Sequence, residues 1–269
     1  MSGNTKSLRI RIKSVNSTMQ LTKAMGLVAS SKIRKANDAM AKGREYIKTV
    51  EDAVSLLSSC TEAQLSPYLT KRSPDRVRLV VIAGDRGLAG GYNANVFRLA
   101  RSFPGAEFFP IGKRACEQFG AEPDSSEHFS FDQASLLAQR LCDDFRDGLY
   151  DALGILYTRY HSIMSQEAEV KWILPLEKKG ESLSSPVFEP DPLTILNRTV
   201  CEYVAGVICA CAKESFACEV ASRKIAMDSA EKNAKQMLDD LSLEYNRARQ
   251  SSITQEITEI IAGAGDDRR

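Results

Sequence analysis

The chain has 269 residues, with 36 basic and 35 acidic side chains, so it is long enough for one or two buried cores, and its overall charge steers it toward neither nucleic acid nor an acidic partner. Its seven cysteines, at 60, 116, 142, 201, 209, 211 and 218, form no C-x-x-C pair, and they read as reduced, buried, apolar side chains rather than a disulfide framework. No apolar run approaches the roughly 20 residues needed to cross a bilayer, and the N-terminus lacks a signal-peptide core, so the expectation is a chain peripheral to a membrane at most, with no cleaved leader.

The distribution of charge says more than its total. From Met1 to Asn37 there is no Asp or Glu, while Lys6, Arg9, Arg11, Lys13, Lys23, Lys32, Arg34 and Lys35 are cationic, which makes a local basic rod. Through the same text, positions 8, 12, 15, 19, 22 and 26 (Leu, Ile, Val, Met, Thr, Gly) advance by alternating steps of four and three. That is a coiled-coil seam, weakest at its polar and glycine members. No proline occurs before Pro67, so one helix is expected from about residue 5 into the late fifties, and residues 1–58 are assigned as an N-terminal coiled-coil segment.

The middle changes character. "RVRLVVIAG" (76–84), "AEFFPIG" (106–112), "YDALGILYT" (150–158) and "EVKWILPL" (169–176) are β-rich apolar runs, and helical text such as "FDQASLLAQRLCDDFRDG" (131–148) separates them. Alternating strands and helices predict a small α/β, Rossmann-like sheet domain over 76–178. "AGDRGLAGGYN" (83–93) is a glycine-rich turn between a strand and a helix, a position suited to phosphate binding by backbone N–H groups. Its glycines at 84, 87, 90 and 91 fit neither G-x-G-x-x-G nor a P-loop. A turn whose glycines allow close packing is the competing reading. "EKKGESLSSPVFEPDP" (177–192) reads as a returning loop.

After Pro192 there is no proline, and glycine appears only at 206 before the last few residues. Residues 193–262 are expected to form a helix of roughly 105 Å at about 1.5 Å per residue, within a C-terminal segment assigned to 193–269. Ala234, Leu238, Leu241, Tyr245, Ala248 and Ser252 repeat the four-three spacing, so the two terminal helices should pair, antiparallel because the intervening chain reverses direction. In "ARQSSITQEITEIIAGAG" (248–265), Ile253, Ile257, Ile260 and Ile261 share a helical face. Gly263 is the expected stop.

Chemistry-bearing constellations are sparse. His128 and His161 are the only histidines, and neither sits in an H-E-x-x-H or Cys/His cluster. There is no G-x-S-x-G elbow, and the acid pairs Asp143–Asp144 and Asp239–Asp240 lie in amphipathic helical text as solvated faces. No catalytic, cofactor-binding or metal residue is assigned. The basic N-terminal rod could contact phosphates, but its cations are interleaved with a seam that needs a protein partner, and no aromatic precedes Tyr46 to stack a base. Nucleic acid is therefore not expected as a partner.

Three separated stretches, "TMQLTKAMGLVASSKIRKA" (18–36), "DRGLAGGYN" (85–93) and "YNRARQSSITQEITEIIAGA" (245–264), with "FEPDP" (188–192), resemble the gamma subunit of the bacterial-type F-type ATP synthase, and their order and spacing extend the resemblance over essentially the whole chain. The resemblance implies a non-catalytic rotor shaft. It couples ion flow through a membrane c-ring to ATP synthesis or hydrolysis on the beta subunits. Its terminal helices would enter a ring of three alpha and three beta subunits, and its α/β domain would sit near epsilon and the c-ring, on the cytoplasmic face of the bacterial membrane. Carried over residue by residue, the rotor contacts fall on Arg249, Gln250, Thr254 and Glu256 in the last helix and on Lys23 and Met25 in the first. The isoleucines would lie against the apolar sleeve and the paired helix. Gly26, Ala89 and Tyr92 depart from the family's common residues, and the cysteine-bearing insertion of the redox-regulated chloroplast form is missing, so no thiol switch of that kind is expected. The alternative is a phosphate- or nucleotide-binding α/β enzyme with coiled-coil arms.

Overall fold

A computed structural model describes residues 2–73, 75–177 and 188–266. Helix α1 (Ser2–Ser58) leads through two 3-10 turns, Glu62–Leu65 and Pro67–Leu69, into strand β1 (Val77–Ile82). There follow α2 (Tyr92–Ala100), β2 (Glu107–Ile111), α3 (Lys113–Phe119), α4 (Phe131–Arg146), β3 (Ala152–Tyr160), β4 (Gln166–Leu174) and α5 (Pro192–Asp266). Packing divides the chain into two units, Met1–Val28 with Lys224–Arg269, and Ala29–Arg223. Helices α1 and α5 each contribute to both. Most of the expected loop 177–192 lies outside the described residues.

The first unit is a helix pair. Leu8 and Gly26 are buried and Ile12, Val15, Met19 and Thr22 half-buried on α1, while Ala234 and Leu241 are buried and Leu238, Tyr245, Ala248 and Ser252 half-buried on α5. Every position of both expected seams is thus withdrawn from solvent, while most of the flanking positions are exposed. Gly26 faces Met227 and Asp228, whereas Ile12 and Asn16 share a groove with Leu238 and Ser242. Rising numbers on α1 meet falling numbers on α5, so the pairing is antiparallel.

The second unit holds a four-stranded sheet in the order β2-β1-β3-β4. Strand β1 runs parallel to β2 and β3, and β4 is an antiparallel edge strand on β3. Alternation along β1 sends Val80 and Ile82 into one core and Leu79 and Val81 into another, as a strand covered on both faces requires. The first core joins Ile47, Val54 and Leu57 of α1, Leu141 and Phe145 of α4, and Val200, Val204 and Ile208 of α5. The second joins Val96 and Ala100 of α2 to Ala115 of α3. Ser130 starts α4 with a capping box, its hydroxyl accepting from the Gln133 amide while the Gln133 side chain accepts from the Ser130 amide. Here too α1 and α5 run antiparallel, with Gly43 against Ala210 and Tyr46 over Gly206.

Three expectations change. Helix α5 does not stop at Gly263 but continues to Asp266, because one helical glycine costs only about 1 kcal/mol and ends a helix only where a left-handed cap replaces the lost bonds. Second, α5 contains an 18-residue window of mean hydropathy 1.4, apolar enough by composition to pass for a membrane span, yet 61% of that window is buried inside the protein. Third, Ile253, Ile257, Ile260 and Ile261 do not pack on the paired helix. They are 47% to 69% exposed.

Two glycines give opposite outcomes. A Cβ added at Gly26 would sit 3.5 Å from Met227 Cβ, an ordinary contact, so Gly26→Ala is expected to raise stability by about 0.5–1 kcal/mol, read as a higher urea midpoint. Gly112 has φ +96° and its Cβ would fall 2.0 Å from the Ala83 carbonyl oxygen. Gly112→Ala is therefore expected to lower the stability of the sheet unit by about 3 kcal/mol or more in the same titration.

Candidate functional site

The residues singled out from the sequence fall in two patches of the first unit. Arg249, Gln250, Thr254 and Glu256 are all exposed on α5, as is Lys23 on α1, while Met25 is half-buried beside the seam. Gly26, next to Met25, lies at the level of Met227 and Asp228. Arg249 is some 20 residues further along α5, or about 30 Å at 1.5 Å per residue. The structure brings Arg249, Gln250, Thr254 and Glu256 together, and sets Lys23 and Met25 apart from them.

On α5 these side chains make two adjacent rows. Arg249, Ile253, Glu256 and Ile260 advance by four, three and four; Gln250, Thr254, Ile257 and Ile261 do the same. Each row begins polar and ends in exposed isoleucine. The hydrogen bonds found here stay within the helix: the Thr254 hydroxyl donates to the Gln250 carbonyl at 3.0 Å, Ser252 Oγ to Glu256 Oε1 at 3.4 Å, and Gln255 Nε2 to Glu259 Oε1 at 2.9 Å. Ser252 is the last seam residue still half-buried. The rows thus present donors, acceptors and apolar surface that the described residues do not cover. Ile10, Leu21, Leu27 and Val28 of α1 are also 57% to 64% exposed. Sequence reading passed over them because they fall outside the seam; their apolar character off a heptad position was the available signal.

The glycine-rich turn occupies the second unit, and its geometry is that of a joint. A Cβ at Gly84 would fall 2.7 Å from Glu219 Cδ on α5, so only glycine admits this approach. Arg223 donates to the Gly87 carbonyl at 3.1 Å and pairs with Glu219 at 2.5 Å. The Tyr92 hydroxyl donates to the Ser215 carbonyl at 2.9 Å, and the Thr158 amide to Ser215 Oγ at 3.1 Å. Glu219 is 2% exposed, and its Oε2 has no hydrogen-bond partner among the described residues. Burial pushes its carboxyl above the usual carboxylate range, against the opposing pull of Arg223.

Asp85, inside the turn, is anchored by donors from outside it. Its carboxylate accepts from the amides of Lys113 (3.1 Å), Ser126 (2.8 Å) and Glu127 (3.2 Å) and from the Ser125 hydroxyl (2.6 Å). Desolvation works to raise its pKa, but these hydrogen bonds outweigh it and hold Asp85 below the ordinary range. The Gly84 amide is likewise engaged, donating to Asn93 Oδ1 at 2.9 Å. Of the two readings of this turn, close packing is the one realised. Among the described residues there is no cluster of three or more His, Cys, Asp or Glu suited to a metal ion.

The comparisons point one way. Residues 4–265 match the family model described as ATP synthase. The ATP synthase gamma chain of Ruminococcus albus is 39% identical, covering 98% of this chain and 99% of the relative. The sodium ion specific ATP synthase gamma chain of Acetobacterium woodii is 33% identical at the same coverage, 98% and 99%. Among solved structures, the Euglena gracilis mitochondrial ATP synthase OSCP/F1/c-ring shares the fold, with a TM-score of 0.70 at 17% identity over 98% of this chain and 95% of that one.

The Asp85 hub has a pH signature. A carboxylate whose folded pKa is depressed contributes stability above the unfolded value, near 3.9, and loses it as pH falls through the folded value. Asp85→Asn is expected to cost about 1.5–3 kcal/mol near neutral pH, with the difference from the parent protein shrinking as pH falls below the unfolded carboxyl value and through the depressed folded one. Urea midpoints measured across pH 2.5–7 check both the size and the window.

Proposed function

The chain belongs to the ATP synthase gamma-chain family, and on that premise we propose that it is the central rotor shaft of an F-type ATP synthase. It couples ion flow through a c-ring to ATP synthesis or hydrolysis at catalytic sites on the beta subunits, and has no active site of its own. Residues 1–58 and 193–269 supply the shaft. The 76–178 domain lies toward epsilon and the c-ring, so the chain is held indirectly at the membrane, on the cytoplasmic face of a bacterial cell.

The observation that carries this reading is the bare end of α5. Two rows of exposed polar and isoleucine side chains, from Arg249 to Ile261, run beside and beyond the last half-buried seam residue, Ser252. A collar of alpha and beta subunits supplies the missing apolar contact, while Arg249, Gln250, Thr254 and Glu256, with Lys23 and Met25 on α1, form the polar contacts with beta. Rim pairs of this kind are worth only about 0.2–1 kcal/mol each. A rotating asymmetric shaft benefits from that weakness, since contacts have to break at each step. The nucleotide-binding alternative is disfavoured because the glycine-rich turn packs Gly84 against the carboxyl of buried Glu219, and the Gly84 amide is already held by Asn93 Oδ1.

Mixed with its alpha and beta subunits, the chain is expected to assemble at three alpha, three beta and one gamma; failure to form that complex sinks the proposal. Arg249→Ala combined with Gln250→Ala is expected to lower coupled ATP synthesis by about 2- to 30-fold, the equivalent of two rim contacts, with assembly and helix content retained. Unchanged synthesis by the assembled double variant removes both residues from the rotor contact.

A further inference from the structure

Lys32 is the first charged residue of the sheet-bearing unit on α1, and Arg223 is the last residue of that unit on α5. The Lys32 ammonium pairs with Glu127 Oε1 and lies 5.9 Å from the centre of the Phe216 ring on α5. Glu127 belongs to the loop between α3 and α4, and its own amide donates to Asp85 Oδ2 at 3.2 Å. Two residues on from Asp85, the Gly87 carbonyl accepts from Arg223 at 3.1 Å. Lys32, Glu127, Asp85, Gly87 and Arg223 thus make a continuous path from α1 through two loops to α5. Ala36 and Ala217 share an apolar cluster with Met40 and Phe216, which closes the circuit directly between the helices.

We infer that this circuit is a belt around α1 and α5, and that Lys32 and Glu127 are positioning residues for the transfer of torque between the sheet-bearing unit and both helices. The inference rests on the rotor reading and extends it by naming where α1 is gripped. The helix-to-helix contact inside the belt is small and apolar. Such contact is non-directional, so by itself it lets one helix creep along the other under load. Polar contacts to fixed backbone groups resist that motion because their geometry is narrow.

The Lys32–Glu127 pair differs from a bridge between two free side chains. Ser125, Ser126 and Glu127 are all held to Asp85, so Lys32 meets a carboxylate carried on an anchored backbone. The Lys32 side chain is 39% exposed and that of Glu127 23%, and a partly buried pair is screened less by salt than a fully exposed one. Further back on α1, Arg44 donates to the Tyr160 carbonyl at 2.9 Å and to Glu214 at 2.7 Å, while Glu51 pairs with Lys171 at 2.8 Å. Those links hold α1 along the sheet. Lys32 holds it at the end of the unit, and a loaded rod deforms most where it leaves its clamp.

The test uses the chain assembled with its alpha and beta subunits and the membrane sector, and compares ion-driven ATP synthesis with uncoupled ATP hydrolysis. Lys32→Met and Glu127→Gln are each expected to lower the ratio of synthesis to hydrolysis by about 2- to 5-fold. The double variant is expected to lose no more than either single one, because both remove the same pair. Lys32→Arg, which keeps the charge, is expected to retain at least about half of the parent ratio. An unchanged ratio in the assembled variants, losses that multiply in the double variant, or Lys32→Arg as impaired as Lys32→Met overturns the belt. Should Lys32→Met fail to assemble, amide exchange of the isolated chain decides: the Ser126 and Glu127 amides are expected to exchange about 2- to 5-fold faster than in the parent, and equal exchange overturns the belt. Failure of the parent chain to join three alpha and three beta subunits strikes instead at the rotor reading.

Discussion

The constraint on which the sheet-bearing unit depends is that one helix, α5, must serve three neighbours at once. From Tyr203 to Ala212 nearly every residue is buried, because α1 covers one side of the helix and the core shared with α4 and the sheet covers another. Gly206 and Ala210 are small where Tyr46 and Gly43 press closest. From Glu214 to Arg223 the burial continues, but the partners become polar. Glu214 accepts from Arg44 at 2.7 Å and from the Tyr160 amide at 2.9 Å, Ser215 takes β3 and Tyr92, and Glu219 with Arg223 takes the glycine-rich turn. Burying charge in this way costs several kcal/mol unless the partners are fixed, so each of these groups holds α5 in a single register against the sheet.

That arrangement is what a torque-bearing joint requires. An apolar contact alone is non-directional and tolerates sliding, whereas hydrogen bonds to defined backbone groups do not. In the helix-pair unit the design reverses. Only a stripe of each helix is withdrawn from solvent, the seam includes Thr22 and Gly26, and large apolar groups face outward. One part of the chain is finished internally and the other presents surface to be covered.

The two long helices were legible because a four-three spacing free of proline over dozens of residues has few other solutions, and all twelve seam positions named from sequence are withdrawn from solvent. The four strands were legible as β-branched apolar runs between turns. Their order was not, since β1 pairs with β3 across three intervening helices and a strand, and nothing local encodes such a pairing. Glu219 and Arg223 resemble an ordinary exposed helical pair four residues apart; only the fold shows Glu219 buried against Gly84 and Arg223 half-buried beside it. The exposure of Ile253 through Ile261 was also hidden, because an apolar stripe reads the same whether its partner is in the chain or outside it.

Amide hydrogen exchange across residues 253–261, compared between the isolated chain and the complex with alpha and beta, tests the shaft assignment most directly. A helix end without tertiary cover is marginally stable in water, so these amides should exchange rapidly in the isolated chain and slow by at least about tenfold on assembly, as burial of the two rows stabilises the helix by more than about 1.4 kcal/mol. Exchange that is equally fast in both states would contradict the placement of this helix end inside the catalytic ring.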